Sequence, residues 1–179
     1  MGPVKLISRT FLVLILWSCT TTKDNVKVTF NNHEITTSTN STVVSTEAGE
    51  VAGYIEDGIY IYKGIPYAEA DRFMPPHSPA AWQGVRSSRA YGPVCPQGKR
   101  MGWYSDEQAF AFDWDDGYAD ENCLRVNVWT QGINDRKKRP VMVWLHGGGY
   151  SAGSGQELPA YDGAALCKKG DVVLVSLNH

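Results

Sequence analysis

Apolar positions fall into separated patterns along the chain, and each pattern predicts an element. Residues 11–17 are an unbroken apolar run preceded by Lys5 and Arg9. Residues 20–42 are rich in Thr, Asn and Ser and poor in apolar side chains. Three short β-rich runs follow at 42–46, 51–55 and 59–63, separated by Ala48-Gly49-Glu50 and Glu56-Asp57-Gly58. Gly and Asp at those breaks suit tight turns, so this part predicts a small antiparallel meander. Pro and Gly then punctuate residues 64–84, which excludes a long helix or strand there.

Residues 95–123 read as an aromatic and acidic loop carrying Trp103, Tyr104, Phe110, Phe112, Trp114 and Tyr118. Residues 124–130 alternate apolar and polar, as a half-buried strand does. The basic run Arg136-Lys137-Lys138-Arg139 reads as a solvated loop tip with no binding role. Residues 141–145 and 172–177 are nearly continuous apolar runs, the pattern of strands covered on both faces. Between them, residues 160–169 predict a short helix ended by Gly170. Strand, helix and strand of this kind predict a right-handed parallel crossover, and so an α/β sheet.

Composition narrows the class. The chain has 179 residues, a formal net charge of −2 and 42% hydrophobic residues. These values are ordinary for a globular domain and imply neither nucleic acid nor an anionic surface as partner. The N-terminal run is too short for a permanent span, and a basic start with a small residue after it predicts an export signal over residues 1–18. Leu16-Trp17-Ser18-Cys19 also resembles a lipobox. Two destinations therefore stay open, a cell-envelope protein lipidated on Cys19, with membrane attachment through that lipid, and a plainly secreted or periplasmic one. Residues 19–41 read as a flexible tether, and residues 42–179 as the folded part. Export makes a Cys95–Cys123 disulfide available and leaves Cys167 unpaired. No CxxC pair or His/Cys cluster occurs, so neither a metal nor a cofactor is expected.

Chemistry concentrates in residues 141–155, VMVWLHGGGYSAGSG. His146-Gly147-Gly148-Gly149 after a buried strand is a hydrolase signature: glycine amides turn toward the oxyanion formed when an ester is attacked. The same stretch contains Gly149-Tyr150-Ser151-Ala152-Gly153, which fits G-x-S-x-G. A nucleophile elbow needs a strand running straight into the turn and a helix directly behind it. Ser151 instead follows three glycines, and Gly153-Ser154-Gly155 and Pro159 precede any helix. Ser151 is therefore read as a small polar residue of the loop. His146 and His179 read as bracing residues, and nothing argues a triad role for Asp71, Asp120 or Asp162.

From Thr42 to His179 the chain resembles the type-B carboxylesterases, the carboxylesterase and cholinesterase group of α/β hydrolases. The resemblance rests on Lys63-Gly64-Ile65-Pro66-Tyr67-Ala68, Arg72-Phe73, Pro75-Pro76, Trp82, Gly92-Pro93 and Cys95-Pro96-Gln97. It continues through Glu121-Asn122-Cys123-Leu124 with Val126-Asn127-Val128-Trp129, then His146-Gly147-Gly148-Gly149 and Gly153-Ser154-Gly155. Asn122 stands where the family usually has Asp, which weakens an ion pair if that carboxylate makes one.

The resemblance implies the N-terminal part of an α/β-hydrolase fold, with small antiparallel strands leading into a mixed, mostly parallel sheet. It implies oxyanion donors at Gly148 and Gly149 and a disulfide between Cys95 and Cys123. Trp103 and Trp114 become candidate gorge-lining residues, and the partner is a small-molecule carboxylic ester. The nucleophile, acid and base of the family lie downstream of the strand that ends at Asn178, so the expectation is a domain cut before its nucleophile elbow and inactive alone. Two rivals remain: a non-catalytic binding or adhesion relative, and a truncated product without function. An unpaired sheet edge at the last strand predicts poor solubility for these residues in isolation.

Overall fold

The computed structural model describes residues 25–38, 40–98, 105–115 and 117–179. The expected export signal over residues 1–18, Cys19 and Trp103 lie outside the described residues. Two residues with positive φ, Asn31 (48°) and Asn32 (66°), join strands β1 (Asn25–Phe30) and β2 (His33–Ser38). That pair of dihedrals is the turn that suits the twist of a two-residue hairpin, and Asn tolerates it. The hairpin occupies most of the stretch expected to be a flexible tether, so ordered structure begins at Asn25 among the described residues rather than near Thr42.

The expected meander divides between two sheets. Strands β3 (Val43–Ser45) and β4 (Glu50–Ala52) pair antiparallel, and β4 also pairs parallel with β7 (Val85–Ser87). Beyond Gly53 the same chain enters a second sheet as β5 (Tyr54–Glu56) and β6 (Ile59–Pro66). Asp57 and Gly58, at φ 47° and 83°, turn β5 into β6. The remaining strands are β8 (Arg125–Thr130), β9 (Val141–Leu145) and β10 (Val173–Leu177). The large sheet runs β1-β2-β5-β6-β8-β10-β9. Only β9 and β10 are parallel; every other neighbouring pair in it is antiparallel.

Strand alternation gives this sheet two buried faces. Ile59 and Ile61 of β6 and Trp129 of β8 pack with Leu174 and with Cys167 of α2 (Ala164–Gly170). On the opposite face Tyr62 and Ile65 join Val51 from the small sheet and Trp82 from the loop before β7, with Val126 and Val128 beside them. Tyr62 and Ile65 share a face despite their odd spacing because a register shift lies between them. Buried Asn127 holds that shift: its Oδ1 accepts the Gly64 N–H at 2.9 Å while its Nδ2 donates to Ser176 Oγ at 3.0 Å.

Three further details differ from the sequence reading. The helix begins at Ala164, after a 3-10 turn at Pro159–Tyr161, and the left-handed residue that ends it is Asp171 rather than Gly170. Arg139 is not a solvated loop tip; its side chain, 6% exposed, bridges Asp135 and Asp171 at 2.7 Å each. Those two carboxylates hold its guanidinium above its ordinary pKa. β9 was expected to be covered on both faces, yet all five of its residues are 42–63% exposed, because α2 packs over β6, β8 and β10 rather than over β9.

Candidate active site

β9 discharges into the glycine loop of residues 146–155, and the parallel register sets Leu145 opposite Leu177. The end of β10 therefore arrives beside the start of the loop. There the rings of His146 and His179 stack at 4.4 Å, and His146 Nδ1 donates to the Gly147 carbonyl at 2.7 Å. Burial, with His146 adding to it, pushes the His179 imidazole below its ordinary pKa.

The loop folds back on itself at Gly148. Its φ of 128° is one that side-chain-bearing residues rarely adopt, and a Cβ there would run into the Ala152 carbonyl oxygen. Its own carbonyl accepts the N–H groups of Ser151 and Ala152 at 3.0 and 3.1 Å. Gly149 follows with φ 60°. The N–H groups of Gly148 and Gly149 donate to no group among the described residues. Both residues line a cavity of about 510 Å³, together with Cys95, Gln97, His146 and His179.

The far arm of the loop is held differently. Three consecutive amides each donate to a side-chain oxygen: Gly153 to Gln97 Oε1 at 2.7 Å, Ser154 to Glu157 Oε2 at 2.9 Å, and Gly155 to Asn178 Oδ1 at 2.8 Å. Asn178 is buried, and its Nδ2 also donates to the Pro93 carbonyl at 2.9 Å. The Pro93 carbonyl and the Gly155 amide, from separate segments, thus converge on one strand end. Of these residues Gln97 falls inside the Cys95-Pro96-Gln97 motif, which assigns it no role, and no motif marks Glu157 or Asn178. A polar residue directly after the apolar run of β10 was the available signal for Asn178.

Cys95 and Cys123 form a disulfide with Cα atoms 4.9 Å apart, and Cys167 is free and buried, donating to the Trp129 carbonyl at 3.2 Å. Within the bridged loop, Ser105 caps a helix, α1 (Asp106–Ala111), where only loop was expected. Trp114 packs behind α1, its N–H on the Ala109 carbonyl at 2.9 Å, and is not among the residues lining the glycine-loop cavity. Arg72 pairs with Glu121, and both side chains are more than half exposed. The ion pair at this motif is thus made by the residue before Asn122.

Ser151 Oγ donates to the Gly149 carbonyl at 3.3 Å, and no hydrogen bond joins it to either histidine of the site. Asp120 and Asp162 accept the N–H groups of Asn122 and Ala164, each engaged in a local turn. Met74 N–H closes a turn onto the backbone carbonyl of Asp71. No group of three or more His, Cys, Asp or Glu among the described residues is placed to hold a metal ion.

A mixed sheet whose parallel pair opens onto a glycine loop at the strands' C-terminal ends has the architecture of an α/β hydrolase. The chain belongs to the carboxylesterase family, whose model matches residues 40–179. It is 40% identical over 143 residues to phenmedipham hydrolase of Pseudarthrobacter oxydans, covering 76% of this chain and 27% of that protein. Para-nitrobenzyl esterase of Bacillus subtilis is 39% identical over 141 residues, again at 76% and 27% coverage. Among solved structures, an esterase from Clostridium hathewayi superposes with a TM-score of 0.74 at 37% identity, covering 87% of this chain and 28% of its own. The chain thus spans about a quarter of the length of these relatives.

Proposed function

We propose that this chain supplies the oxyanion-binding part of an exported carboxylic ester hydrolase acting through a serine acyl-enzyme. The observation that carries the reading is the pair of unengaged N–H groups at Gly148 and Gly149 on the wall of the cavity. In the reaction a serine oxygen attacks the ester carbonyl, whose oxygen gains the negative charge and accepts those two N–H donors. A histidine oriented by an acid takes the serine proton and passes it to the departing alcohol; water then cleaves the acyl-enzyme by the reverse roles. Each donor of this type typically contributes about 100- to 1,000-fold in rate. Serine, acid and histidine come from polypeptide outside these 179 residues, so the chain alone is inactive. Residues 1–18 direct export, ending in lipidation at Cys19 or in plain secretion.

Turnover of a p-nitrophenyl ester tests the reading. The full-length protein is expected to hydrolyse it, the 179-residue chain is not, and Ser151→Ala in the full-length protein should leave turnover at the wild-type level. Absence of turnover by the full-length protein refutes the reading, and so does its abolition by Ser151→Ala.

A further inference from the structure

The glycine loop has two arms with opposite fates. The near arm carries the open amides of Gly148 and Gly149, and its side-chain bonds come from within the loop itself, His146 Nδ1 to the Gly147 carbonyl and Ser151 Oγ to the Gly149 carbonyl. The far arm is fixed from outside, and the two arms touch at only a few places. One is the turn at Gly148, where the Gly148 carbonyl takes the amides of Ser151 and Ala152. The other is Gly153, at φ 110°, where a Cβ would collide with the Gly147 carbonyl oxygen and come within 2.6 Å of His146 Nδ1. Whatever sets the position of Gly153 therefore sets how close the far arm presses on Gly147, and so the direction of the next two amides.

The group that meets Gly153 comes from another part of the chain. Gln97 is two residues after Cys95, and its Oε1 accepts the Gly153 N–H at 2.7 Å. On the same loop, the Val94 carbonyl takes the Asp120 N–H at 3.1 Å, and Cys123 completes the bridge. We propose that Gln97 is a positioning residue for the Gly148 and Gly149 donors, transmitting the anchorage of the Cys95–Cys123 loop to them through Gly153. The inference rests on the oxyanion reading above and adds to it the residue that fixes the hole. Gln97 acts by holding Gly153 against Gly147, its Oε1 taken up by the Gly153 N–H. Its loss lets the far arm relax by tenths of an ångström or more, and misplacement on the ångström scale costs about 100-fold in rate.

Four forms of the full-length protein decide the matter: wild type, Gln97→Leu, and the Cys95→Ser/Cys123→Ser pair with and without Gln97→Leu. Leucine keeps the volume of Gln97 approximately and removes the acceptor. Gln97→Leu is expected to lower kcat about 10- to 100-fold with KM nearly unchanged. It should weaken binding of a trifluoromethyl ketone, whose hemiketal with the nucleophilic serine places its former carbonyl oxygen as the oxyanion, by the same factor. The cysteine pair should show a comparable loss, and adding Gln97→Leu to it should cost little more, since both act through one contact. If the cysteine variant does not accumulate, Gln97→Leu alone decides. Wild-type kcat and ketone affinity in Gln97→Leu overturn the inference while leaving the oxyanion reading intact. A loss shared between kcat and KM with a lower thermal midpoint overturns it too, because that is the mark of general destabilisation. A wild-type protein without turnover sinks both.

Discussion

Adjacent glycines at 147 and 148 should respond in opposite ways to the same added methyl group. A Cβ at Gly147 meets nothing within 4 Å, whereas one at Gly148 runs into the Ala152 carbonyl oxygen, on a backbone at φ 128°. Holding alanine in that conformation costs about 1–3 kcal/mol before the collision is counted. The backbone relieves both by rotating the 148–149 peptide, which takes an amide away from the oxyanion. One lost donor costs about 2.7–4 kcal/mol in the transition state, or 100- to 1,000-fold. In the full-length protein, Gly148→Ala is expected to lower kcat/KM for a p-nitrophenyl ester at least about 100-fold. Gly147→Ala, a methyl added into open space at the cavity without backbone strain, is worth about 0.5 kcal/mol or less, a factor near two. Thermal midpoints measured beside the rates separate misfolding from chemistry. Equal rates for the two variants would refute the placement of the donors.

Two further predictions concern the scaffold. The Tyr62 hydroxyl is buried without a partner, and burial pushes its pKa up to about 12. Above pH ~10 the unfolded chain loses this proton while the folded one keeps it, so the stabilising difference present below pH ~10 disappears as pH rises toward the folded value. Tyr62→Phe should therefore match or exceed the wild-type thermal midpoint at pH 7, with an advantage that widens by pH 11; a lower midpoint at both values would show a hidden partner for the hydroxyl. Asn178→Ala strands the Gly155 N–H and the Pro93 carbonyl. At about 1–3 kcal/mol for each orphaned group, urea unfolding should report a loss of about 2–6 kcal/mol, and a loss below about 1 kcal/mol would mean that water replaces the side chain.

Much of the fold was legible because its signals were local. Asp57-Gly58 announced a turn, and residues 125–130 announced a strand by alternation alone. Asn31-Asn32 between Val28, Phe30 and Ile35 carried a similar signal, but the Thr- and Asn-rich composition around it masked the hairpin. Gly53 could not be read as the point where one β run changes sheets, since that depends on Tyr62 and Ile61 from the next strand. The exposure of β9 was likewise invisible: a continuous apolar run reports what a strand is suited to, not which neighbours lie beside it. In the site, Gly148 was legible from a motif. The oxygens of Gln97, Glu157 and Asn178 were not, because each meets its amide through tertiary contact or a turn that no periodicity encodes.

The edge position of β9 also sets a schedule. Its inner neighbour β10 begins 28 residues after β9 ends, at Val173 against Leu145. At ~5–20 residues per second of synthesis, β9 waits about 1.5–6 s before that neighbour exists. During that interval its five apolar residues present two faces and both edges to water. A nascent chain halted in this window is the form most apt to pair with another copy of itself, and the one a holding chaperone would meet first.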